Sequence, residues 1–394
     1  MRVETVTMAA ETTKDRMDFL DVARGLAALL VLIEHGICHR IPGYVEWSTA
    51  NANVGRTGVV LFLAISGFII PVSLERGRSN ARFWLRRFFR LYPAYWASIA
   101  VAWLYLWLGG PVPLGIAIDD RPNWLLNLTM LQRFFGHPDV WGVFWTLQLE
   151  LVIYAACSLF FVTGLLRHWR WIVGLAIAGY FVYGLERPLL EAKPLGIGGQ
   201  RFLFFTPLIG LLAQRYVAGM ISQRATYGIL GAHVLSIVAV WCANRLMFPS
   251  QITANGLREF LMTWGTAYTV LFALAEVRHL RMPAVGAWLG RISYSLYLFH
   301  PLLLVLLSGA PMWVFIPCFF IGTILLAQVT YSLIEAPGIA AGRGLERRLF
   351  GKRRAETTAG RKPDQNDPRR SKQVNGDPGR VSAGSRGPFS HSRR

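Results

Sequence analysis

Residues 19–36 read Phe19-Leu20-Asp21-Val22-Ala23-Arg24-Gly25-Leu26-Ala27-Ala28-Leu29-Leu30-Val31-Leu32-Ile33-Glu34-His35-Gly36. The run approaches the ~20 apolar residues of a bilayer-crossing helix, yet it contains an acid, a guanidinium and an imidazole. An ionisable side chain near the bilayer centre costs about 2.5–3.5 kcal/mol or more, so each needs a partner or a purpose. His35 follows Arg24 by eleven positions, almost three helical turns, which places both on one face about 16 Å apart. Asp21 falls close to the same stripe and can pair with Arg24, whereas Glu34 points about 100° away. The stripe reads either as an interfacial Asp–Arg pair with a histidine bonded between helices, or as one wall of a functional cleft.

Composition extends this reading to the whole chain. Of 394 residues, 53% are hydrophobic and 16% charged, against about 25% charged in an ordinary soluble domain. Such a chain cannot cover itself with a polar surface, so a soluble globular protein and a disordered one are both excluded. An all-α, polytopic membrane bundle of about ten spanning helices is expected, at 22–38, 57–74, 93–109, 142–166, 170–185, 201–220, 226–244, 260–276, 286–307 and 313–334. Four acidic residues (Glu4, Glu11, Asp15, Asp18) precede the first run, which argues against a cleavable signal. Three segments follow: 1–17, a cytoplasmic lead-in; 18–337, the membrane domain; and 338–394, a disordered basic cytoplasmic tail.

The net charge of +19 would suit nucleic acid, but its distribution does not. Residues 338–394 hold 15 Lys/Arg and five Asp/Glu, and most of the rest lies in short loops between apolar runs. With the N-terminus inside, cytoplasmic segments other than the tail hold 16 Lys/Arg and outside loops nine. Both termini are therefore expected in the cytoplasm, in a multi-pass protein of the cell (inner) membrane that contacts anionic lipid and no nucleic acid. Cys38, Cys157, Cys242 and Cys318 show no ligand spacing, so neither a disulfide framework nor a metal is expected.

Four further stretches carry polar chemistry. Ser66-Gly67, inside Leu61–Phe68, is either a close-packing site between helices or a substrate-facing hydroxyl. Arg82, Arg86 and Arg90 recur every four residues, with Arg87 three before Arg90 and aromatics between. That segment is either an interfacial amphipathic helix or a cytoplasmic polyanion site whose guanidinium forks grip phosphate. Glu150 is the sole charge of its run, on one stripe with Thr146 and Tyr154. In Ser293-Tyr294-Ser295-Leu296-Tyr297-Leu298-Phe299-His300-Pro301, Ser293 and His300 share a face and Pro301 frees a carbonyl one turn earlier. Counted from the helix ends, His35, Glu150 and His300 all lie ~18–21 Å above the inner face of a ~30 Å core, which suggests one shared site.

Taken in order, these segments resemble the acyltransferase 3 family of integral membrane O-acyltransferases, which includes bacterial carbohydrate O-acetyltransferases. The likeness rests on Phe19–Asp21 through Arg24-Gly25 to His35; Leu61-Phe62 to Ser66-Gly67-Phe68; Arg86-Arg87-Phe88-Phe89-Arg90-Leu91-Tyr92-Pro93; Trp145-Thr146-Leu147 to Glu150 and Tyr154; and Ile292–Tyr297 to His300-Pro301. It covers roughly residues 18–335. Thr146 stands where the family usually has Ser, and both carry a hydroxyl. The resemblance implies an acyl-CoA donor, usually acetyl-CoA, and a carbohydrate or glycolipid hydroxyl as acceptor. His35 would be catalytic with Glu150 in the active centre; Arg24 would support His35, and Arg87 and Arg90, with Arg86 of the same cluster, would bind the donor. Asp21, Ser66, Thr146, Tyr154, Ser293, Tyr294 and His300 would line the site. Some relatives carry an extracytoplasmic esterase-like domain, for which the low-complexity tail leaves no room. A proton-coupled transporter is the alternative, since intramembrane His, Glu and Arg also mark carriers. Against it stand the lack of repeat symmetry and an arginine–aromatic loop on one side only. A lipid-binding scaffold would require the buried charges to be dispensable.

Overall fold

Small residues determine how closely the helices approach. A methyl group added at Gly290 would lie 1.9 Å from the carbonyl oxygen of Asp21, and one at Gly25 only 2.9 Å from that of Gly286. The same holds at Gly67, 1.8 Å from the Pro207 carbonyl, and at Gly210, 1.8 Å from the Ala64 carbonyl. Backbones in such contact are the usual way for membrane helices to gain dispersion energy where no hydrophobic drive separates them from lipid.

The computed structural model describes residues 2–38, 40–110, 123–191, 193, 200–250 and 254–350. Among them the chain is helical and contains no strand. The helices are α1 (Arg2–Ile37), α2 (Tyr44–Ala50), α3 (Val54–Gly77), α4 (Asn80–Trp107), α5 (Trp124–Asn127), α6 (Trp145–Val162), α7 (Trp169–Glu186), α8 (Thr206–Val217), α9 (Gln223–Met247), α10 (Ala254–Glu276), α11 (Ala284–Leu306), α12 (Met312–Thr330) and α13 (Ala336–Phe350), with a π-turn over Tyr331–Glu335. Helix starts carry their own caps: the side chains of Asn53, Ser79 and Ser222 accept from the amides of Arg56, Arg82 and Ala225. The core is built on α3 and α11, which flank α1, while α8 seats on α3 and α12 on α11.

All ten apolar segments expected to span are helical. Among the described residues five helices are long and apolar enough to cross a membrane, or six if the bent pair Leu165–Leu175 and Ile177–Glu191 forms one span. Two boundaries differ from expectation. The arginine–aromatic segment is no separate interfacial element but the first half of α4, continuous through Pro93. Proline at 93 sits inside the helix, and the chain tolerates the lost backbone bond there. The last helical stretch carries past Pro337 to Phe350, so no break falls at 338. The remainder of the expected disordered tail, from residue 351, lies outside the described residues. The chain divides into Met1–Glu346 and Arg347–Arg394, and the site described below lies within the first.

Candidate active site

A cavity opens among α1, α3, α4, α6 and α11. Its polar wall is supplied by Arg24 of α1, Ser66 of α3, Arg87 and Arg90 of α4, Thr146 and Glu150 of α6, and Ser293, Tyr294 and Tyr297 of α11. Its apolar wall is mainly α3, from Val59 to Ile70. Gly67 packs against Pro207 while Ser66, one residue earlier, faces the cavity. The glycine face packs while the serine side turns to the cavity, because adjacent helical residues point about 100° apart.

Three of the ionisable groups, Arg24, Arg87 and Glu150, have partners within the site. Arg24 pairs with Asp21 at 3.3 Å, as the i, i+3 spacing requires. Glu150 accepts a hydrogen bond from the Tyr154 hydroxyl one turn on. Arg87 lies over the rings of Phe83 and Tyr154, 5.3 and 5.0 Å from their centroids, so cation–π attraction joins it to the same tyrosine. Thr146 and Tyr297 share a hydroxyl–hydroxyl hydrogen bond of 2.6 Å, and Tyr297 also donates to the Val143 carbonyl. The Tyr294 hydroxyl donates to the Leu91 carbonyl, which ties α11 to α4 beside the arginines.

His35 and His300 are neighbours, with ring centroids 5.0 Å apart. Pro301 has no amide hydrogen for the carbonyl of Tyr297, and Nδ1 of His300 lies 2.8 Å from that oxygen. Nδ1 of His35 is likewise 2.9 Å from the Val31 carbonyl. A carbonyl only accepts, so in both neutral rings the proton belongs on Nδ1 and the basic lone pair on Nε2. His300 is fully buried, and its ring lies 5.8 Å from that of Tyr297 on the cavity wall. His300 therefore sits one ring contact from the cavity and His35 two.

Of the thirteen residues expected at the site, eight line the cavity: Arg24, Ser66, Arg87, Arg90, Thr146, Glu150, Ser293 and Tyr294. Asp21 and Tyr154 stand behind this wall as partners of Arg24 and Glu150. Arg86 is apart. It is exposed and grips Glu346 of α13 with two hydrogen bonds, of 2.6 and 2.5 Å. That grip holds the Glu346 carboxyl below its usual range. Viewed down α4, Arg90 lies between Arg87, about 60° to one side, and Arg86, about 40° to the other. A cavity centred on the Arg87 side leaves Arg86 facing outward.

Two functional candidates were not singled out from the sequence. Tyr297 shares the α11 face of Ser293 and His300, at i+4 and i−3, and that spacing could have found it. Glu335 is 1% exposed, yet it lies one residue beyond the expected end of the last span, where an acid passes for an interfacial one. Among the described residues no group of acids, histidines and cysteines is arranged to hold a metal ion, and none of the four cysteines forms a disulfide.

The fold and cavity define a class, a polytopic helical membrane protein with a buried arginine–carboxylate chamber. The acyltransferase domain characteristic of the acyltransferase 3 family matches residues 17–332, and the chain belongs to that family of enzymes. It is 26% identical over 327 residues to nodulation protein 10 of Rhizobium leguminosarum bv. viciae, covering 72% of this chain and 82% of that one. To exopolysaccharide production protein ExoZ of Rhizobium meliloti it is 28% identical over 319 residues, 74% of this chain and 91% of ExoZ. To peptidoglycan O-acetyltransferase OatA of Listeria monocytogenes it is 24% identical over 379 residues, 81% of this chain but 55% of OatA. No solved structure matches it.

Proposed function

We propose that this membrane acyltransferase moves an acetyl group from cytosolic acetyl-CoA to a hydroxyl of a carbohydrate, such as exopolysaccharide, O-antigen or a lipid-linked sugar. The observation that carries the reading is the chamber itself, where Arg24, Arg87 and Arg90 from two helices meet Glu150 from a third. Guanidinium forks out of bulk water suit the phosphates of a nucleotide thioester. The printed names of ExoZ and OatA support a polysaccharide acceptor and an acetyl group.

In this reading the donor's phosphates rest on Arg87 and Arg90, and its thioester arm runs past Tyr297 towards His35. The basic Nε2 of His35 takes the proton of the acceptor hydroxyl as its oxygen attacks the thioester carbon. The carbon–sulfur bond breaks, and the departing thiolate takes that proton from the imidazolium to leave as free CoA. Glu150, fixed by Tyr154, lends negative charge to the chamber while the imidazolium exists. The ten helical segments all serve as spans, with both termini in the cytoplasm of a cell whose inner membrane holds the protein.

Purified protein in detergent, given acetyl-CoA and an oligosaccharide acceptor, is expected to release free thiol with acceptor-dependent kinetics. His35→Ala is expected to lower kcat by about 10²–10⁴-fold, the usual range for loss of a general base. Substrate flux through proteoliposomes without thiol release would instead make the chain a carrier. Mass spectrometry of surface glycans from a deletion strain identifies the acceptor.

A further inference from the structure

The inward face of α12 carries Phe315, Phe319, Thr323, Ala327 and Thr330, all buried, at steps of four, four, four and three. The next buried polar residue is Glu335, five residues after Thr330. In an uninterrupted α-helix a five-residue step turns the side chain about 140° away from the starting face. Here the step is a π-turn, Tyr331–Glu335, which accommodates one extra residue and returns Glu335 to the inward face. Burying a carboxylate is costly unless it is paired and hydrogen-bonded. A local distortion that turns an acid inward thus calls for a reason.

Two partners account for it. The Ser295 hydroxyl of α11, itself fully buried, donates to one carboxylate oxygen at 2.8 Å. The π-turn packs on α4, the helix that carries Arg90, and the carboxylate and the guanidinium attract one another across that contact. Arg90 lines the cavity and Glu335 does not. Arg24, Arg87 and Arg90 on the wall face one carboxylate there, Glu150. Asp21 pairs with Arg24 at 3.3 Å, while Arg90 has Glu335 on the π-turn that packs against its helix.

We propose that Glu335 is a positioning residue, which the π-turn rotates inward and Ser295 fixes so that its charge holds the Arg90 guanidinium against the donor's phosphates. The proposal rests on the acyl-CoA reading above. Without this anchor Arg90 would be repelled by its two neighbouring guanidinium groups and leave its place. The lost contact is made in the ground state and the transition state alike, so KM should respond and kcat should not.

The test uses the full chain in detergent, with acetyl-CoA as donor. Glu335→Gln keeps the shape and the Ser295 bond but removes the charge. The expected result is a KM for acetyl-CoA about tenfold higher, with kcat within about twofold and the thermal midpoint little changed. Arg90→Ala should raise KM similarly, and the double variant little further, because both act on one contact. Glu335→Asp should recover part of the affinity. If Glu335→Gln does not fold, Ser295→Ala is measured in its place, with a smaller rise in the same direction. An unchanged or lower KM, equal losses in kcat and kcat/KM, or additive single effects would each overturn the proposal. Wild-type protein that consumes no acetyl-CoA would instead fail the donor reading, which separates the two outcomes.

Discussion

At Arg86 and Arg87 two adjacent guanidinium groups have different neighbours. The first is exposed and paired with Glu346; the second lies on the cavity wall over Phe83 and Tyr154. An exposed ion pair contributes about 0–1 kcal/mol, so Arg86→Ala should leave the KM for acetyl-CoA within about twofold and the thermal midpoint nearly unmoved. Arg87→Ala removes a charge from the chamber and should raise that KM by about tenfold or more, since charged hydrogen bonds contribute about 1.5–3 kcal/mol. Initial-rate kinetics of the two variants side by side check the contrast, and equal effects would move the donor site out to the α4–α13 surface. The spacing of Arg86, Arg87 and Arg90 showed only that the three share half of a helix. Which of them turns inward depended on where the neighbouring helices lie. The histidines follow the same logic. That His35 and His300 lie at one depth was readable by counting residues, but the ring contact and the Nδ1 protons on Val31 and Tyr297 carbonyls needed coordinates.

Among the elements, the α1–α11 contact sets the position of Arg24 against Tyr294 and Ser293. Gly290 is its tightest point, where a Cβ would meet the Asp21 backbone at 1.9 Å. A backbone carbonyl cannot swing aside as a side chain can, so Gly290→Ala must part the helices. Overpacking of this kind costs about 1–3 kcal/mol. The expected outcome is a thermal midpoint several degrees lower together with reduced transfer activity, because the shift moves Arg24. Gly265→Ala serves as the control. Its Cβ would meet nothing within 4 Å, and alanine there gains up to about 1 kcal/mol in helix propensity. A melt in which both variants behave alike would show that the glycine contact does not limit stability. The π-turn at Tyr331–Glu335 also belongs to this scale. Nothing in the residue types of Tyr331-Ser332-Leu333-Ile334-Glu335 announces it, since it arises when α12 must keep packing on α11 while delivering Glu335 to Ser295.

Across the whole molecule, the ten-span reading with both ends inside makes a direct prediction. An alkaline phosphatase fusion after Phe350, which is active only outside the cytoplasm, should be inactive, whereas one in the connection 38–53 that contains α2 should be active; the reverse pattern would invert the topology. The helical character, the membrane setting and the concentration of charge at a few points all followed from the sequence by itself. They are sums over short windows: apolar length, a Lys/Arg imbalance, and the cost of an isolated ion in hydrocarbon. The family likeness was legible for the same reason, because its segments keep their order and internal spacing. Tertiary structure alone decided which polar groups share a cavity and which merely share a helix with it. It sent Arg86 to Glu346, put Tyr297 between Thr146 and His300, and turned Glu335 inward onto Ser295. Those outcomes depend on the azimuth at which each helix meets its neighbours. That azimuth is fixed by backbone contacts at Gly25, Gly67, Gly210 and Gly290 with residues far away along the chain.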